Sequence, residues 1–240
     1  PRRKVILPFS RSVKIALVSL VSIVAFTMIL PTFTNSEAGP YYTERQLLFE
    51  IFACLIIYTA FISAQTNRHR EYFISDSSDT AENIKHSISN VSLAISIIFL
   101  LISLIIVVLL AKSLSPQIEQ IVVSNGLPKS LVGIIIAAVI LLPEGIAAVS
   151  AARNNRLQTS LNLSLGSAIA SIGLTIPAVS VASYIYDFPL ILGLEILPII
   201  LLVISIFTVM VSLIGGRSNS VYGVVLLVNL LAYVFLTINP

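Results

Sequence analysis

A single carboxylate interrupts one of the long apolar stretches of this chain. In "LLPEGIAAVSAAR", which begins at Leu141, Glu144 is the only ionisable residue between Ser130 and Ala152. An acid in such apolar surroundings is costly, so it usually faces a partner or a cavity and marks an ion or proton path. Glu144 is therefore the first candidate for chemistry. The alternative is a structural glutamate that is protonated or hydrogen bonded.

The two neighbours of Glu144 predict a break in the helix at the same point. Pro143 lacks an amide proton, so it frees carbonyl oxygens near Val139 and Ile140. Gly145 has no side chain and lets another backbone or an ion come close. Broken helices with freed carbonyls beside an acid form cation sites in membrane transporters. We therefore predict a helix break at Pro143 and Gly145 that serves a cation site.

The next apolar segment carries hydroxyl groups at helical spacing. This serine stripe has intervals of 4, 3, 4 and 4 residues, which place its members on one helical face: Ser160, Ser164, Ser167, Ser171 and Thr175. Small residues, namely Gly166, Ala170 and Gly173, lie near it. Small and hydroxylated residues also line helix–helix contacts in bilayers, so simple packing is the alternative to ligand binding.

Depth separates the members of the serine stripe. The turn "ARNNRLQ" lies between the two segments; Glu144 is eight residues before its first residue, Ala152, and Ser167 is eight residues after Thr159, which follows the turn. This places both about 12 Å deep at 1.5 Å per residue. Ser171 is one turn deeper and Asn162 lies near the surface. We predict that Ser167 and Ser171 join Glu144 in one site and that Asn162 lies at its cytoplasmic mouth.

Composition identifies the environment of these segments. The chain is 57% hydrophobic and 10% charged, with a mean hydropathy of +1.00. A membrane-spanning helix needs roughly 20 apolar residues, and the runs lack the alternation of a membrane barrel. The sequence predicts an all-α integral membrane protein with seven transmembrane helices, at about 13–31, 46–66, 88–112, 129–152, 158–184, 189–214 and 219–238.

The basic residues predict the orientation of these helices. With the N-terminal end in the cytoplasm, 11 of the 14 basic residues lie on the cytoplasmic side, as the positive-inside rule favours. The N-terminal end and the 67–87 loop are then cytoplasmic and the C-terminus lies outside. The net charge of +3 reflects this topology, so the lipid bilayer is an expected partner and nucleic acid is not.

The remaining candidate groups are interpreted as structural. Cys54 is the one cysteine, so we expect a packing residue and neither an intrachain disulfide nor a cysteine metal site. Glu50 and Glu195 lie toward the non-cytoplasmic ends of their spans, where a charge can reach the headgroups cheaply. Asp187 lies in a short outer loop. We expect none of these acids to couple ion exchange.

Together these motifs resemble a known family. The stretches "LLPEG", "AARNNRLQTSLNLSLGSAIASIGLTIP", "LILGLE" and "GRSN" are similar to the second α-repeat of the calcium/cation antiporter superfamily, most closely its bacterial calcium/proton antiporter branch. The resemblance implies two inverted repeats of five helices, each giving one acid to a central cation site. It makes Glu144 the cation- and proton-binding carboxylate, and it puts Ser167 and Ser171 at ligand-bearing positions. Plant-type relatives have a histidine directly after the acid, whereas this chain has Gly145.

The same resemblance predicts how the chain is divided. Residues 1–66 would be the last two helices of the first repeat, 67–87 a cytoplasmic linker, and 88–240 the second repeat of five helices. The chain is then the C-terminal part of an inverted-repeat antiporter. Its partner would be the missing N-terminal repeat of the same protein, and its location the bacterial inner membrane.

The predicted function is secondary active cation antiport, with calcium exchanged for protons in calcium efflux. The alternative within transport is a sodium or potassium/proton antiporter. The alternative from another class is a non-transporting membrane scaffold in which Glu144 is structural. We expect no enzyme activity and no cofactor, because the ions that Glu144 binds are inorganic cations and protons carried across the membrane.

Overall fold

The computed structural model describes residues 11–34, 42–68, 90–214 and 219–239. Within them, seven helical segments are long and apolar enough to cross a membrane, which confirms the predicted number of spans. The helices are α1 (Arg11–Val24), continued by a π-helical turn (Ala25–Ile29) and α2 (Leu30–Phe33), then α3 (Glu44–Ser63) with a π-helical end (Ala64–Arg68), α4 (Asn90–Ser124), α5 (Ser130–Arg153), α6 (Leu157–Tyr186), α7 (Ile196–Ile214) and α8 (Ser220–Ile238).

Two helix ends differ from the predicted spans. The third span was predicted to end at residue 112, but α4 continues through Pro116 to Ser124. The sixth was predicted from residue 189, but α7 begins only at Ile196. The segment before it contains Pro189 and Gly193, which disfavour a helix. Most of the predicted 67–87 linker lies outside the described residues.

The chain forms two compact units. The first contains Pro1–Ser75 and Glu144–Tyr233, and the second contains Asp76–Pro143 and Val234–Pro240. In the first unit, α1 and α3 pack against α6 along much of its length. Their shared core consists of apolar side chains that are almost completely covered: Ala16, Ile23, Cys54, Phe61 and Ile169.

Gly173 allows these three helices to approach one another closely. A Cβ atom placed on Gly173 would lie 3.1 Å from Ile23 Cδ1 and 3.4 Å from Tyr58 Cδ2. Small residues at such positions let membrane helices pack backbone to backbone, where dispersion contacts replace the weak hydrophobic drive of the bilayer. Gly166 has no such neighbour, because nothing lies within 4 Å of its Cβ position.

The π-helical turn after α1 is stabilised by partners from elsewhere in the first unit. It precedes Pro31, which has no amide proton to give to the preceding turn. The Tyr42 hydroxyl donates to the Phe26 carbonyl at 2.7 Å, and the Leu194 amide donates to the Met28 carbonyl at 3.0 Å. These bonds fix the residues before α3 and the extended segment before α7 against the end of α1.

The second unit is organised around the end of α4. Gly126 adopts a left-handed backbone conformation (φ 72°), and the Leu127 amide donates to the Val122 carbonyl at 3.0 Å, as in a Schellman motif. Lys129 then forms a 2.9 Å salt bridge with Glu119, whose hydrogen bond and charge raise the pKa of the Lys129 ammonium. This exposed pair adds little to stability.

The turn between α5 and α6 has the same Schellman hydrogen-bond pattern, with an asparagine in the left-handed position. Asn155 has a positive φ of 59°, and the Arg156 amide donates to the Ala151 carbonyl at 2.9 Å. Asparagine tolerates this conformation better than most residues with a side chain. The sequence "ARNNR" therefore ends α5 and starts α6 within a few residues, as the sequence predicted.

Candidate functional site

Glu144 lies in an unbroken helix. The predicted break at Pro143 and Gly145 is wrong, because α5 runs continuously from Ser130 to Arg153. Proline removes only one amide donor, so the carbonyl of Val139 loses its partner while the rest of the helical ladder continues. Membrane helices tolerate such a loss, and α4 and α6 also contain an internal proline.

The surroundings of Glu144 are open in the described part of the chain. Glu144 is exposed, as are all residues from 137 to 147. No described residue forms a hydrogen bond or an ion pair with its carboxylate. Nothing lies within 4 Å of a Cβ placed on Gly145, so the close approach predicted there is not made by any described residue.

The serine stripe faces away from the packed side of α6. The residues that α6 buries are Ile169, Gly173, Pro177, Ser180 and Ser183. Ser167 and Ser171 lie two residues to either side of Ile169, a rotation of about 200° at roughly 100° per residue. Ser171 is exposed and Ser167 is half-buried. The contact with α1 and α3 therefore uses the opposite face of α6.

This arrangement distinguishes helix packing from ligand binding, the two roles that the sequence leaves open for the serine stripe. The small residue that packs most closely, Gly173, belongs to the buried face and not to the serine stripe. The oxygens of Ser167 and Ser171 have no hydrogen-bond partner among the described residues. The structure forms no hydrogen bond between them and Glu144. Their hydroxyls remain available to a ligand or to another part of the protein.

Asn162, predicted at the cytoplasmic mouth, contacts α1. Its Oδ1 accepts a hydrogen bond from Ser12 Oγ at 3.3 Å. Its Nδ2 is buried and has no partner among the described residues. Asn162 thus connects the starts of α1 and α6, and its role at a mouth stays a prediction.

Glu50 is a functional candidate that the sequence analysis placed wrongly. The sequence analysis expects this side chain to reach the headgroup region. In the structure it is 1% exposed and therefore does not. Cys54 Sγ donates to Glu50 Oε1 at 3.4 Å, and Ser180 Oγ donates to Oε2 at 3.3 Å. The signal was present in the spacing of the buried positions of α3, Leu47, Ile51, Cys54 and Phe61, which together with half-buried Tyr58 recur every 4 and 3 residues. Glu50 lies beside this face.

The structure also places the two remaining acids and the cysteine. Glu195 is exposed immediately before α7, and Asp187 is exposed in the left-handed position that ends α6. Cys54 is fully buried in the core of the first unit, so it is a packing residue in addition to its bond with Glu50. Within the described residues, no group of three or more His, Cys, Asp and Glu side chains could hold a metal.

Comparison with known proteins identifies the family. The family model described as sodium/calcium exchanger protein matches residues 95–239. A putative ionic transporter, y4hA, from Sinorhizobium fredii is 37% identical over 225 residues, which is 94% of this chain and 61% of that protein. The sodium-potassium/proton antiporter ChaA of Escherichia coli is 30% identical over 217 residues, 89% of this chain and 59% of ChaA.

A more distant relative is the vacuolar calcium ion transporter of Schizosaccharomyces pombe. It is 27% identical over 231 residues, covering 94% of this chain and 55% of the relative. The chain thus spans somewhat more than half the length of these three relatives, and no solved structure matches it. The family match and the seven apolar helices show that the chain is an integral membrane protein of the sodium/calcium exchanger family, within the calcium/cation antiporter superfamily.

Proposed function

We propose that the protein is a secondary active antiporter that exchanges calcium for protons, and that this chain carries the acid of its second repeat. The observation that carries the proposal is the environment of Glu144. It is an acid in the middle of an apolar spanning helix, it is exposed, and no described residue contacts its carboxylate. A charge in that position is too costly to face lipid.

The open surface around Glu144 needs an occupant. The chain spans 55–61% of the length of the three relatives that it matches, and we propose that a further part of the protein covers this surface. In our proposal this part is the first repeat, which supplies a second acid opposite Glu144. The two acids then enclose the site from two sides and keep both carboxylates away from lipid.

The serine stripe supplies further ligands. Calcium takes 6–8 oxygen ligands, from carboxylates, carbonyls, hydroxyls and water. Ser167 and Ser171 present uncommitted hydroxyl groups on the open face of α6. Water completes the shell.

Charge balance explains why such a site exchanges calcium for protons. Two ionised carboxylates neutralise one divalent cation, and two protons neutralise the same carboxylates. Calcium and protons therefore exclude each other from the site, and an empty, doubly charged site is disfavoured in the apolar core. Alternating access of the site to the two faces of the membrane then couples the two ion flows. With the cytoplasmic side defined by the basic residues, an inward proton gradient drives calcium out of the cell.

A second candidate, sodium or potassium/proton exchange, is favoured by one comparison. The relative named as a sodium-potassium/proton antiporter is 30% identical to this chain, whereas the one named as a calcium ion transporter is 27% identical. A monovalent cation needs only one negative charge for neutrality. The number of acids supplied by the rest of the protein therefore decides between the two candidates.

Flux measurements in vesicles test the proposal. The full-length protein is reconstituted with an internal pH indicator, and calcium, sodium or potassium is added outside. We expect calcium to drive proton movement and the two monovalent cations to have little effect. Proton movement driven by sodium or potassium alone would support the second candidate, and no proton movement with any cation would contradict antiport.

A further inference from the structure

The carboxylate of Glu50 lies in a closed polar cluster inside the first unit, which we define as Glu50, Cys54 and Ser180. The three side chains are 1%, 0% and 0% exposed. Cys54 lies one turn along α3 from Glu50, and Ser180 comes from α6 across the helix contact. Both oxygens of the carboxylate therefore have a donor, and they come from two different helices.

No positive charge of a described residue is paired with this carboxylate. Among the titratable groups, Cys54 donates a hydrogen bond to Glu50, and Tyr42 is close enough for the charge of Glu50 to act on its hydroxyl. On α1 the described basic residue is Lys14, which lies 12 residues before Phe26, the residue that binds Tyr42. On α6 the nearest titratable side chains are exposed tyrosines at its end, Tyr184 and Tyr186. A buried charge without a partner is strongly disfavoured.

The Tyr42 hydroxyl does not carry the charge of the cluster. Burial first, and then the charges of Glu50 and Cys54, raise the pKa of Tyr42 to about 12. Tyr42 therefore stays neutral in any physiological medium, and its hydroxyl donates to the Phe26 carbonyl at 2.7 Å. Any change of charge in this region belongs to Glu50.

The donors of the cluster suit both states of a carboxyl group. When Glu50 is ionised, the thiol and the hydroxyl each donate to one oxygen. When Glu50 is protonated, its own O–H donates to Ser180 Oγ, because a serine hydroxyl accepts as well as donates. The cluster thus accommodates a proton by rotating one hydroxyl group. A carboxylate held by lysine or arginine has no such freedom.

A metal cation fits the same cluster poorly. Glu50 and Ser180 offer three oxygens, and the remaining group, Cys54, is a thiol that suits softer metals than calcium or sodium. The side chains are almost completely covered, so coordinating water has little access. A proton needs only the one oxygen to which it bonds.

The position of the cluster relates it to the candidate cation site. Ser180 lies nine residues beyond Ser171 on α6, an axial distance of about 13 Å at 1.5 Å per residue. Glu50 lies six residues from the start of α3, and Ser180 six residues from the end of α6. Both helix ends belong to the side predicted to be non-cytoplasmic.

We propose that Glu50 is a second proton-binding group of the antiporter, which takes up and releases a proton near the non-cytoplasmic end of α6. The proton bonds to one carboxylate oxygen, and its exchange with water on that side requires a transient opening of the helix contact, because the three side chains are covered. This inference rests on the proposed cation/proton exchange for its purpose. The binding of a proton by Glu50 does not depend on that exchange and can be tested separately.

Infrared difference spectroscopy tests the inference without any transport assay. The full-length protein in lipid vesicles is titrated with acid, and the carbonyl stretch of protonated carboxylic acids is followed. We expect one such band to appear with falling pH and to be lost in Glu50→Gln. Ser180→Ala should retain the band but move the pH of its midpoint. The matched control is Ser183→Ala, because Ser183 is also buried in α6 but donates to the Phe188 carbonyl.

The outcomes separate the inference from the proposed function. A titrating band that is lost in Glu50→Gln supports the second proton site, even if no cation drives proton flux in vesicles. A band from Glu50 that does not change with pH would make the group a permanently protonated structural acid, and it overturns the inference. The absence of any band sensitive to Glu50→Gln or Ser180→Ala overturns it too, whether or not the protein exchanges ions.

Discussion

Glu50 and Glu144 are both acids within apolar spanning helices, but their surroundings are opposite. Glu50 is covered by the packed helices of the first unit and receives hydrogen bonds from two side chains. Glu144 is exposed and has no described partner. The first is a site that this chain completes by itself. In our proposal, the second is a site that another part of the protein completes.

Helix α6 carries the same contrast on its two faces. One face holds Gly173 and Ser180 in contact with α1 and α3, while the other presents Ser167 and Ser171 without a partner. The hydroxyl groups of α6 therefore divide by rotation about the helix axis. On the packed face Ser180 donates to Glu50, and in our proposal Ser167 and Ser171 on the open face are ligands beside Glu144. Substitutions on each face test this division.

The largest expected effect is the loss of exchange in Glu144→Gln. The amide keeps the size of the side chain but cannot exchange a negative charge for a proton or a cation. We expect cation-driven proton flux to fall about a hundredfold, equivalent to roughly 2.8 kcal/mol at 1.4 kcal/mol per factor of ten. Glu144→Asp keeps the charge and should retain part of the flux. Equal flux in Glu144→Gln and the wild type would remove Glu144 from the site.

Substitutions of two glycines seven residues apart on the same side of α6 compare a close helix contact with a position that has free space. Gly173→Leu places a side chain where Ile23 Cδ1 lies 3.1 Å from the Cβ position, whereas Gly166→Leu extends into open space. We expect Gly173→Leu to destabilise the protein by about 1–3 kcal/mol, the usual cost of overpacking. Thermal unfolding in detergent measures this. Equal midpoints for the two variants would contradict the close helix contact at Gly173.

Removing single hydroxyl groups from the serine stripe should have a smaller effect. We expect Ser167→Ala and Ser171→Ala each to raise the cation concentration for half-maximal exchange by about three- to tenfold, or roughly 0.7–1.4 kcal/mol. Protein yield should be unchanged, because the volumes are similar.

The control for this experiment lies on the same stripe. Ser164 Oγ already donates to the Ser160 carbonyl at 3.0 Å, and both residues lie nearer the surface. Ser160→Ala and Ser164→Ala should therefore change the half-maximal concentration less than about twofold, or roughly 0.4 kcal/mol. If all four variants behave alike, neither depth nor ligation distinguishes these serines.

The smallest effect is expected for an acid at a helix end. Glu195 is exposed immediately before α7, where water and headgroups solvate its charge. Glu195→Gln should leave exchange within about twofold of the wild type, since it removes no buried charge. Loss of exchange in this variant, at a normal protein level, would place an ion entry path at Glu195.

The sequence predicted the features that depend on distance along a helix. The number of spans, the turn "ARNNR" and the exposed end position of Glu195 all follow from hydropathy, turn chemistry and counting. Hydropathy alone does not tell which way a side chain points in an almost uniformly apolar helix. For this reason Glu50 was assigned to the headgroup region from its depth, although its rotation directs it into the core.

The predicted break at Pro143 failed for a related reason. A proline removes one hydrogen bond from a helix, and the neighbouring turns decide whether the helix breaks. In α5 the residues on both sides remain helical, so the effect is limited to the loss of one amide donor. The partners of Glu144 could not be predicted from these residues, because no described part of the chain supplies them.

The most direct test of the central claim measures protons released when a cation binds. Calcium is added to the purified full-length protein in weakly buffered solution, and the released protons are counted for the wild type and for Glu144→Gln. If the carboxylate of Glu144 binds either calcium or a proton, the wild type releases protons when calcium binds, and Glu144→Gln releases markedly fewer. Equal release by the two proteins would contradict the assignment of Glu144 as the shared site.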